Sequence, residues 1–158
     1  MVTDRLILEP VTQAQAQAVL AGDLSELSAA PGWPHADTLI ALQLEIDRSP
    51  PGHPAGWFVA LRDGPTPGAV IGECGWKGGP DPEGTAELGY GLAPPWHGQG
   101  YGTEVVGALA GWALRQPSCR RLTAYVHEDN LASRRLVERL GFAVERRESP
   151  YLWYARAR

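Results

Sequence analysis

The sequence predicts one α+β domain in which helices pack on a mixed, mostly antiparallel sheet. The length of 158 residues fits a single domain. The 19 glycines and 14 prolines are spread along the chain as turn residues rather than collected in a linker, and no repeat is visible. Strand patterns and helix patterns both occur in each half of the chain. We therefore expect residues 1–158 to form one domain with about six or seven strands and about four helices.

The first part of the chain predicts a strand, two helices and a meander of three strands. Pro10 is expected to end the first strand, and Thr12 is expected to cap the first helix. The apolar side of the second helix is too broad for a clean stripe, which indicates a well-packed helix. The expected strands cover residues 5–9, 57–62, 69–76 and 85–92, and the expected helices cover residues 12–20 and 37–48.

The second part predicts helices and strands in alternation. Ala93, Pro94 and Pro95 end the preceding strand, because proline cannot donate to a sheet ladder. Gly141 is expected to stop the last helix. The expected helices cover residues 102–116 and 130–140, and the expected strands cover residues 121–127, 142–147 and 152–157.

Composition excludes several classes of protein. With 44% hydrophobic and 20% charged residues the chain has enough apolar material for a core, so it is not disordered. No segment approaches the ~18 apolar residues that span a bilayer, and the first residues lack a secretory signal pattern. We expect a cytoplasmic protein without membrane association. Cys74 and Cys119 are expected to be reduced thiols, with no disulfide and no zinc site.

The charge is unevenly distributed around a net value of −4. Residues 1–100 are strongly acidic, whereas residues 101–158 are basic overall. The first part is therefore suited to meet a cation and the second part an anion, unless the asymmetry is only solvated surface. An acidic chain without clustered Lys and Arg is not expected to bind nucleic acid. The six tryptophans are expected in the core or in pocket walls.

The histidines do not predict a metal site. His35, His53 and His127 lack the spacing of metal ligands, so they are expected to have surface or turn roles.

The most informative segment is a glycine-rich turn between a strand and a helix. Gly98, Gly100 and Gly102 stand at alternate positions in it. This order is typical of phosphate binding by backbone N–H groups at a helix N-terminus. The turn is not a Walker A loop, because no Gly-Lys-Ser/Thr follows, and not a Rossmann fingerprint, because residue 103 is Thr. Taken alone, these residues also fit a tight turn that merely uses glycine.

Further motifs add a family resemblance. With residues 87–92, 130–133, 140–142 and the opening segment 4–10, the turn resembles the GNAT superfamily of acyl-CoA-dependent N-acetyltransferases. The likeness is closest to the ribosomal-protein N-terminal acetyltransferase branch and spans almost the whole chain in the right order. It implies a GNAT-like fold with splayed strands at the acetyl-CoA site, and acetyl-CoA as cosubstrate without a metal.

The resemblance also implies where the cosubstrate binds. The pyrophosphate would lie on the glycine turn, and the pantetheine arm would pair along the preceding strand, which the Pro94-Pro95 interruption is expected to splay from its neighbour. Asn130 would help to hold the pantetheine, and it is also suited to cap the following helix. The implied binding residues are Tyr90, Gly91, Leu92, His97, Gly98, Gln99, Gly100, Tyr101, Gly102, Thr103, Asn130 and Ser133.

Three positions depart from the family pattern. His97 replaces the usual Gln or Arg of the glycine motif, which weakens the expected phosphate contact unless the imidazole is protonated. Val137 and Tyr125 stand where many relatives have a Tyr acid and a Glu base, so those two roles do not transfer. These losses also allow a second class of protein, a catalytically silent acyl-CoA-binding regulatory module.

Other residues are candidates for the chemistry. The resemblance implies that Ser133 protonates the CoA sulfur, although a serine in the first turn of a helix also bonds to the backbone. Glu87 is the first candidate for the general base and Glu73 the second, with a surface or ion-pair role as the alternative for each. Tyr90 is expected to line the cosubstrate or the core.

The acceptor is expected to be a primary amine that attacks directly in a ternary complex. A protein N-terminus, an aminoglycoside-type antibiotic, a polyamine and an amino acid all stay open, as do acyl groups other than acetyl. Acidic residues in the first part of the chain favour a cationic acceptor. A homodimer is compatible with the family. The carboxylates considered for the acceptor side are Asp23, Glu26, Asp37, Glu45 and Asp47.

Overall fold

The computed structural model describes residues 1–48 and 56–158, and the predicted roles of His53 lie outside these ranges. The described strands are β1 (Leu6–Pro10), β2 (Trp57–Leu61), β3 (Val70–Trp76), β4 (Thr85–Leu92), β5 (Arg121–His127), β6 (Ala143–Glu148) and β7 (Tyr151–Ala157). They form one sheet in the order β1-β2-β3-β4-β5-β7-β6. Only the pairing of β4 with β5 is parallel among these described strands. The predicted α+β class with a mixed, mostly antiparallel sheet is confirmed.

The described helices are α1 (Gln13–Leu20), α2 (Ala36–Arg48), α3 (Tyr101–Arg115) and α4 (Leu131–Arg139). Thr12 caps α1 as expected: its side chain accepts from Gln15 N, and the Gln15 side chain accepts from Thr12 N. A single turn of 3-10 helix, Pro94–Trp96, follows β4. None of the described helices has the length and apolar character that crossing a bilayer requires.

Two hydrophobic clusters lie on opposite faces of the sheet. The larger cluster is built with α3 and α4, for example from Val106, Leu109 and Val137. The smaller cluster is built with α1 and α2, and it includes Leu42. Adjacent residues of one strand point to opposite faces, so Phe58 belongs to the smaller cluster and its neighbours to the larger one. The helices α1 and α2 thus cover the face of the sheet that carries the smaller cluster.

A few predicted boundaries are wrong by a residue or more. Pro10 is the last residue of β1 rather than its stop, because β1 is an edge strand, where a residue without an N–H is tolerated. The helix α3 begins at Tyr101, one residue before its predicted start at Gly102, because Gly100 is its N-cap. Cys74 and Cys119 are buried free thiols, as predicted.

Candidate active site

A cleft opens where β4 and β5 separate. Their parallel pairing ends at Leu88 and Ala124, although β4 continues to Leu92 and β5 to His127. Beyond that point β4 stays paired with β3 and β5 with β7, so the two strands diverge. A cleft of about 820 Å³ occupies this gap and its surroundings. The expected splay is confirmed, but it starts well before Pro94, so the prolines are not its cause.

The edge of β4 that faces the gap carries backbone groups directed away from β3. Ala93 N donates to Ile71 O at 2.8 Å, so odd-numbered residues at this end of β4 bond to β3. Hydrogen-bonding direction alternates along an antiparallel strand. The N–H and C=O groups of Tyr90 and Leu92 therefore point into the gap. An extended ligand is able to pair with the groups of Tyr90, whereas Leu92 O already lies within hydrogen-bonding distance of His35 Nε2 and His97 Nε2, which leaves the Leu92 N–H open.

The glycine turn after β4 leaves its N–H groups open. Gly98 and Gly100 have φ angles of 73° and 83°, a left-handed conformation that other residues rarely adopt. Gly100 is the N-cap of α3 and offers no capping side chain. Among the hydrogen bonds found within residues 1–48 and 56–158, none has a backbone N–H group of residues 98–103 as donor. The turn thus presents free donors at the positive end of a helix dipole, which suits a phosphate.

Arg5 supports this turn from the opposite end of the sequence. Its Nη1 donates to Gln99 O at 3.0 Å, its Nε donates to Glu104 Oε2 at 2.8 Å, and its guanidinium lies 4.3 Å from the centre of the Tyr101 ring. Burial raises the pKa of Glu104, but hydrogen bonds from Thr3 and Arg5 outweigh it, so the pKa lies below its ordinary value. Arg5 thereby neutralises an acidic side chain in the first turn of α3, beside the open N–H groups.

Ten of the twelve residues that the resemblance implied for the cosubstrate line the cleft, and two do not. Gln99 Nε2 donates to Pro95 O at 3.0 Å, and the Tyr101 ring packs against Trp96. Neither of these two residues lines the cleft. The implied residues that line it are Tyr90, Gly91, Leu92, His97, Gly98, Gly100, Gly102, Thr103, Asn130 and Ser133.

Glu73 lies at the base of the cleft, opposite Gly91 of β4. It is only 6% exposed, and its Oε2 accepts from Trp33 Nε1 at 2.9 Å. A methyl group on Gly91 would lie 2.5 Å from Glu73 Oε1, so only glycine leaves room for this carboxylate. Burial raises the pKa of Glu73, although hydrogen bonds from Trp33 and Thr38 work against that rise. Glu73 is therefore suited to accept a proton.

Glu87 lies on the same face of the sheet but away from the gap. Its Oε1 accepts from Lys77 Nζ in an ion pair, and Lys77 rather than Glu87 lines the cleft. Glu87 precedes Gly91 by four residues, which places it about 13 Å from the position of Gly91 along the strand. The structure thus brings Glu73, and not Glu87, to the splayed end of β4.

Asn130, Ser133 and Tyr90 meet on the α4 side of the cleft. Asn130 Oδ1 accepts from Ser133 N at 3.0 Å, so Asn130 is the N-cap of α4. Burial raises the pKa of Tyr90, and the neighbouring Ser133 side chain lowers it. The Tyr90 hydroxyl is nevertheless buried without a hydrogen-bond partner among the described residues. The two hydroxyls thus lie close together at the cleft without satisfying each other.

Glu45 of α2 enters the cleft from the wall formed by α2 and the segment before it. This wall holds two of the carboxylates expected on the acceptor side, and we call it the acceptor wall. A methyl group on Gly75 would lie 3.4 Å from Glu45 Oε1. Burial raises the pKa of Glu45 from 4.5 to about 7, although the charges of Arg48 and Lys77 lower it. Of the carboxylates considered for the acceptor side, Asp37 and Glu45 line the cleft, whereas Asp23, Glu26 and Asp47 do not.

His35 was missed by the sequence analysis, which expected a surface or turn role. It precedes α2 and lines the cleft. Its Nδ1 accepts from Thr38 N at 3.1 Å, and its Nε2 lies 3.2 Å from Leu92 O. Only the fold joins residues so far apart in the sequence, and no local pattern around His35 signals this contact.

The positions of the family's usual acid and base hold other groups. Val137 is fully buried in the larger hydrophobic cluster. Tyr125 lines the cleft, but its ring stacks on Tyr151 and packs against Trp153, with ring centres 4.3 and 4.4 Å away. The chemistry of the cleft therefore depends on other residues.

Comparison with known proteins assigns the chain to a family. Residues 5–143 match the family model of the acetyltransferase (GNAT) domain, and the chain belongs to this family.

Several relatives resemble it in sequence or structure. The chain is 30% identical over 95 residues to the uncharacterized N-acetyltransferase YjdG of Bacillus subtilis (strain 168), which covers 60% of this chain and 55% of that protein. A protein described as a GNAT-family acetyltransferase from Bordetella pertussis is 26% identical, with a TM-score of 0.67 over 99% of this chain and 98% of that one. RimL, a ribosomal L7/L12 α-N-protein acetyltransferase solved with coenzyme A, is 19% identical, with a TM-score of 0.67 over 99% of this chain and 96% of that one. The likeness to RimL concerns the fold.

Proposed function

We propose that the protein transfers the acetyl group of acetyl-CoA to a primary amine by direct attack in a ternary complex. The observation that supports this best is the convergence of three features at one end of β4. These are the backbone edge of Tyr90 and Leu92, the open N–H groups of residues 98–103, and the buried carboxylate of Glu73. The backbone edge is suited to bind an extended pantetheine arm, and the open N–H groups are suited to bind a pyrophosphate. The carboxylate is suited to act as the general base.

Acetyl-CoA would bind mainly through backbone groups. The glycine turn holds the pyrophosphate, and Arg135 and Arg139 of α4 add positive charge to the same cleft. The amide-bearing pantetheine arm pairs with the edge of β4, as an added strand would. RimL, which shares the fold, was solved with coenzyme A.

Transfer needs a neutral amine, a donor for the oxyanion and an acid for the thiolate. In the proposed reaction Glu73 takes a proton from the acceptor ammonium, directly or through a water. The amine nitrogen attacks the thioester carbon while the Leu92 N–H donates to the carbonyl oxygen. The C–S bond then breaks and the Ser133 hydroxyl gives its proton to the sulfur. The attacking nitrogen loses its second proton, which passes through Tyr90 back to Ser133, so only the proton taken by Glu73 is released to solvent. The products are an acetylated amine and CoA.

The geometry favours Glu73 over Glu87 as the base. Glu73 lies where the two strands separate and has a raised pKa, caused first by burial. Glu87 is held in an ion pair with Lys77. We therefore propose Glu73 as the first candidate for the general base and Glu87 as the second, which reverses the order expected from the sequence.

The acceptor is proposed to be a cationic amine, either a small molecule or a protein N-terminus. Asp37, Glu45 and Glu73 place three carboxyl groups on the acceptor side of the cleft, and Lys77 there is already paired with Glu87. The basic residues Arg135 and Arg139 lie on α4, on the side proposed for the cosubstrate. This separation of charge attracts a cation to one side and an anion to the other.

A silent acyl-CoA-binding module is the second candidate. Val137 and Tyr125 favour it, because neither supplies the acid or base that many relatives have at these positions.

Thiol release separates the two candidates. The purified protein is mixed with acetyl-CoA and with diaminobutane, butylamine, a basic peptide or an acidic peptide, and free CoA is measured at low and high salt. We expect CoA release to be fastest with the most cationic acceptors, diaminobutane and the basic peptide. The kcat/KM for these two acceptors should fall as salt rises. Binding of acetyl-CoA without release with any amine would identify the silent module. A failure to bind acetyl-CoA would overturn both candidates.

A further inference from the structure

One backbone carbonyl at the end of β4 lies within hydrogen-bonding distance of two imidazoles. His97 Nε2 lies 2.7 Å from Leu92 O, and His35 Nε2 lies 3.2 Å from the same oxygen. A carbonyl oxygen only accepts, and it has two lone pairs, so it is able to accept from both rings when both Nε2 atoms carry a proton. We call His35 and His97 the imidazole pair.

The tautomer of His35 is fixed by its other nitrogen. Thr38 N donates to His35 Nδ1 at 3.1 Å, so Nδ1 has no proton and Nε2 is the donor to Leu92 O. Thr38 belongs to the first turn of α2 and is fully buried. His35 therefore links the acceptor wall to the last residue of β4.

The two rings come from opposite sides of the cleft. His35 precedes α2, whereas His97 precedes the glycine turn, and both line the cleft. The ring of His35 also lies over Gly91, where a methyl group would be 3.6 Å from its Cε1. The imidazole pair thus joins the acceptor side and the cosubstrate side through a single oxygen atom.

The position of this oxygen explains why a pair of donors is needed. The pairing of β4 with β5 ends at Leu88, so the gap side of Leu92 has no neighbouring strand. The imidazole pair takes the place of that strand for the C=O group. In a strand the N–H and C=O groups of one residue point to the same side, so holding the C=O of Leu92 also orients its N–H.

We propose that His35 and His97 are positioning residues that hold the end of β4 so that the Leu92 N–H stays aimed at the thioester oxygen. This inference rests on the proposed function, in which that N–H stabilises the oxyanion. It also gives a use to His97, which stands where the family pattern has Gln or Arg. In this chain the imidazole is turned toward Leu92 O rather than toward a phosphate.

The kinetic test compares His35→Ala, His97→Ala and the double variant with the wild type, with diaminobutane as acceptor. Each single change is expected to lower kcat about three- to tenfold, the value of one net hydrogen bond. The double variant should lose more than the product of the two, because each single variant keeps one donor on the carbonyl. The KM for the amine should change less than about twofold.

Conservative variants and a matched control exclude a general loss of structure. His97→Gln and His35→Gln retain an N–H donor on a side chain of similar reach, and His97→Gln is expected to restore at least half of the lost kcat. Gln116→Ala removes a side-chain donor to a backbone carbonyl outside the cleft, Trp112 O at 3.1 Å, and its kcat should match the wild type. A double alanine variant with kcat within twofold of the wild type, or no restoration by His97→Gln, would overturn the proposal.

A measurement without turnover keeps the inference separate from the proposed function. Nitrogen-15 NMR of the imidazoles should show a proton on Nε2 of both His35 and His97, and a proton only on Nδ1 of His97 would overturn the imidazole pair. If the wild type releases no CoA with any amine, the proposed function fails. The affinity for acetyl-CoA then replaces kcat: a tenfold weaker Kd in the double variant supports the positioning role, and an unchanged Kd overturns it.

Discussion

The two proposed sides of the cleft are built from different kinds of chemical group, backbone groups on one side and side chains on the other. The cosubstrate side consists mainly of backbone groups, the N–H groups of residues 98–103 and the edge of Tyr90 and Leu92. The acceptor side consists of side chains from separate segments, above all Glu73, His35 and Glu45. A backbone site requires glycines and strand ends in a fixed order, which a sequence displays. A side-chain site requires only that folding brings its residues together.

The largest effect is expected on the acceptor side, from Glu73→Gln. Loss of the general base should lower kcat about 10²- to 10⁴-fold, while the Kd for acetyl-CoA stays close to that of the wild type. Steady-state kinetics and calorimetric titration measure the two quantities. Glu87→Gln is the matched control and should retain kcat within about threefold. A large loss of kcat in Glu87→Gln, together with a kcat close to that of the wild type in Glu73→Gln, would make Glu87 the base.

Ser133→Ala tests the border between the two sides. Loss of the proton donor for the thiolate should lower kcat on the order of 10²-fold and leave acetyl-CoA binding almost unchanged. Single-turnover kinetics with bound acetyl-CoA isolate this step. Ser149→Ala, at an exposed serine in the turn between β6 and β7, is the control. If binding weakens while kcat stays within a few-fold, Ser133 only positions the cosubstrate.

Gly100→Val should abolish binding on the cosubstrate side. A ligand at ~100-fold excess over its Kd stabilises a protein by roughly 2.7 kcal/mol, and the variant should lose this stabilisation because Gly100 has a positive φ inside the turn. Thermal unfolding with and without acetyl-CoA measures the difference. Gly22→Val imposes similar strain, since Gly22 has a φ of 81°, but lies outside the cleft. A thermal shift that survives Gly100→Val would move the pyrophosphate to another site.

Glu45→Gln tests whether Glu45 is buried, through the pH dependence of the free energy of unfolding. The folded pKa of Glu45 is raised from 4.5 to about 7, so the stabilising effect of the protonated form is present below pH 4.5 and is lost as pH rises through 7. The variant should therefore be more stable than the wild type at alkaline pH, by about 3 kcal/mol, and equal to it near pH 4. Urea unfolding at several pH values measures this. An unchanged difference across the range would show that Glu45 is hydrated, and Glu83→Gln is an exposed control.

Arg5→Ala should have the smallest effect. It removes the contacts to Gln99 O and Glu104, so the glycine turn loses support and an acidic group near the phosphate loses its partner. An exposed charged contact contributes about 1 kcal/mol, which corresponds to a roughly fivefold weaker Kd for acetyl-CoA. Arg62→Ala removes an exposed arginine that also contacts the first residues but not the turn. Equal affinities for the two variants would separate Arg5 from the cosubstrate.

Much of the fold could be predicted because it depends on local pattern. The strand Thr85–Leu92 and the strand Arg121–His127 were predicted with their observed bounds, since turn residues flank both. The glycine turn was predicted as well, because positive φ angles require glycine there. No local sequence pattern marks the end of the parallel pairing of β4 with β5 at Leu88. The sequence therefore led us to attribute the splay to Pro94 and Pro95, which is wrong.

The side-chain part of the site was harder to predict. Alternation tells which residues of one strand share a face, but only the register of β3 against β4 places Glu73 opposite Gly91 at the gap and Glu87 beside Lys77. The contact between Arg5 and Gln99 joins residues separated by 94 positions. His35 and Leu92 are 57 positions apart. Such contacts follow from the fold as a whole and not from any segment of the sequence.

The position of β7 in the sheet also determines the order in which the molecule is completed. The strand β7 lies between β5 and β6, although it is made after both. Until residues 151–157 leave the ribosome, β5 has an unpaired edge and β6 has no partner in the sheet. One wall of the cleft therefore forms only late in synthesis. A nascent chain shorter than this would expose two strand edges to aggregation before it had any way to bind its cosubstrate.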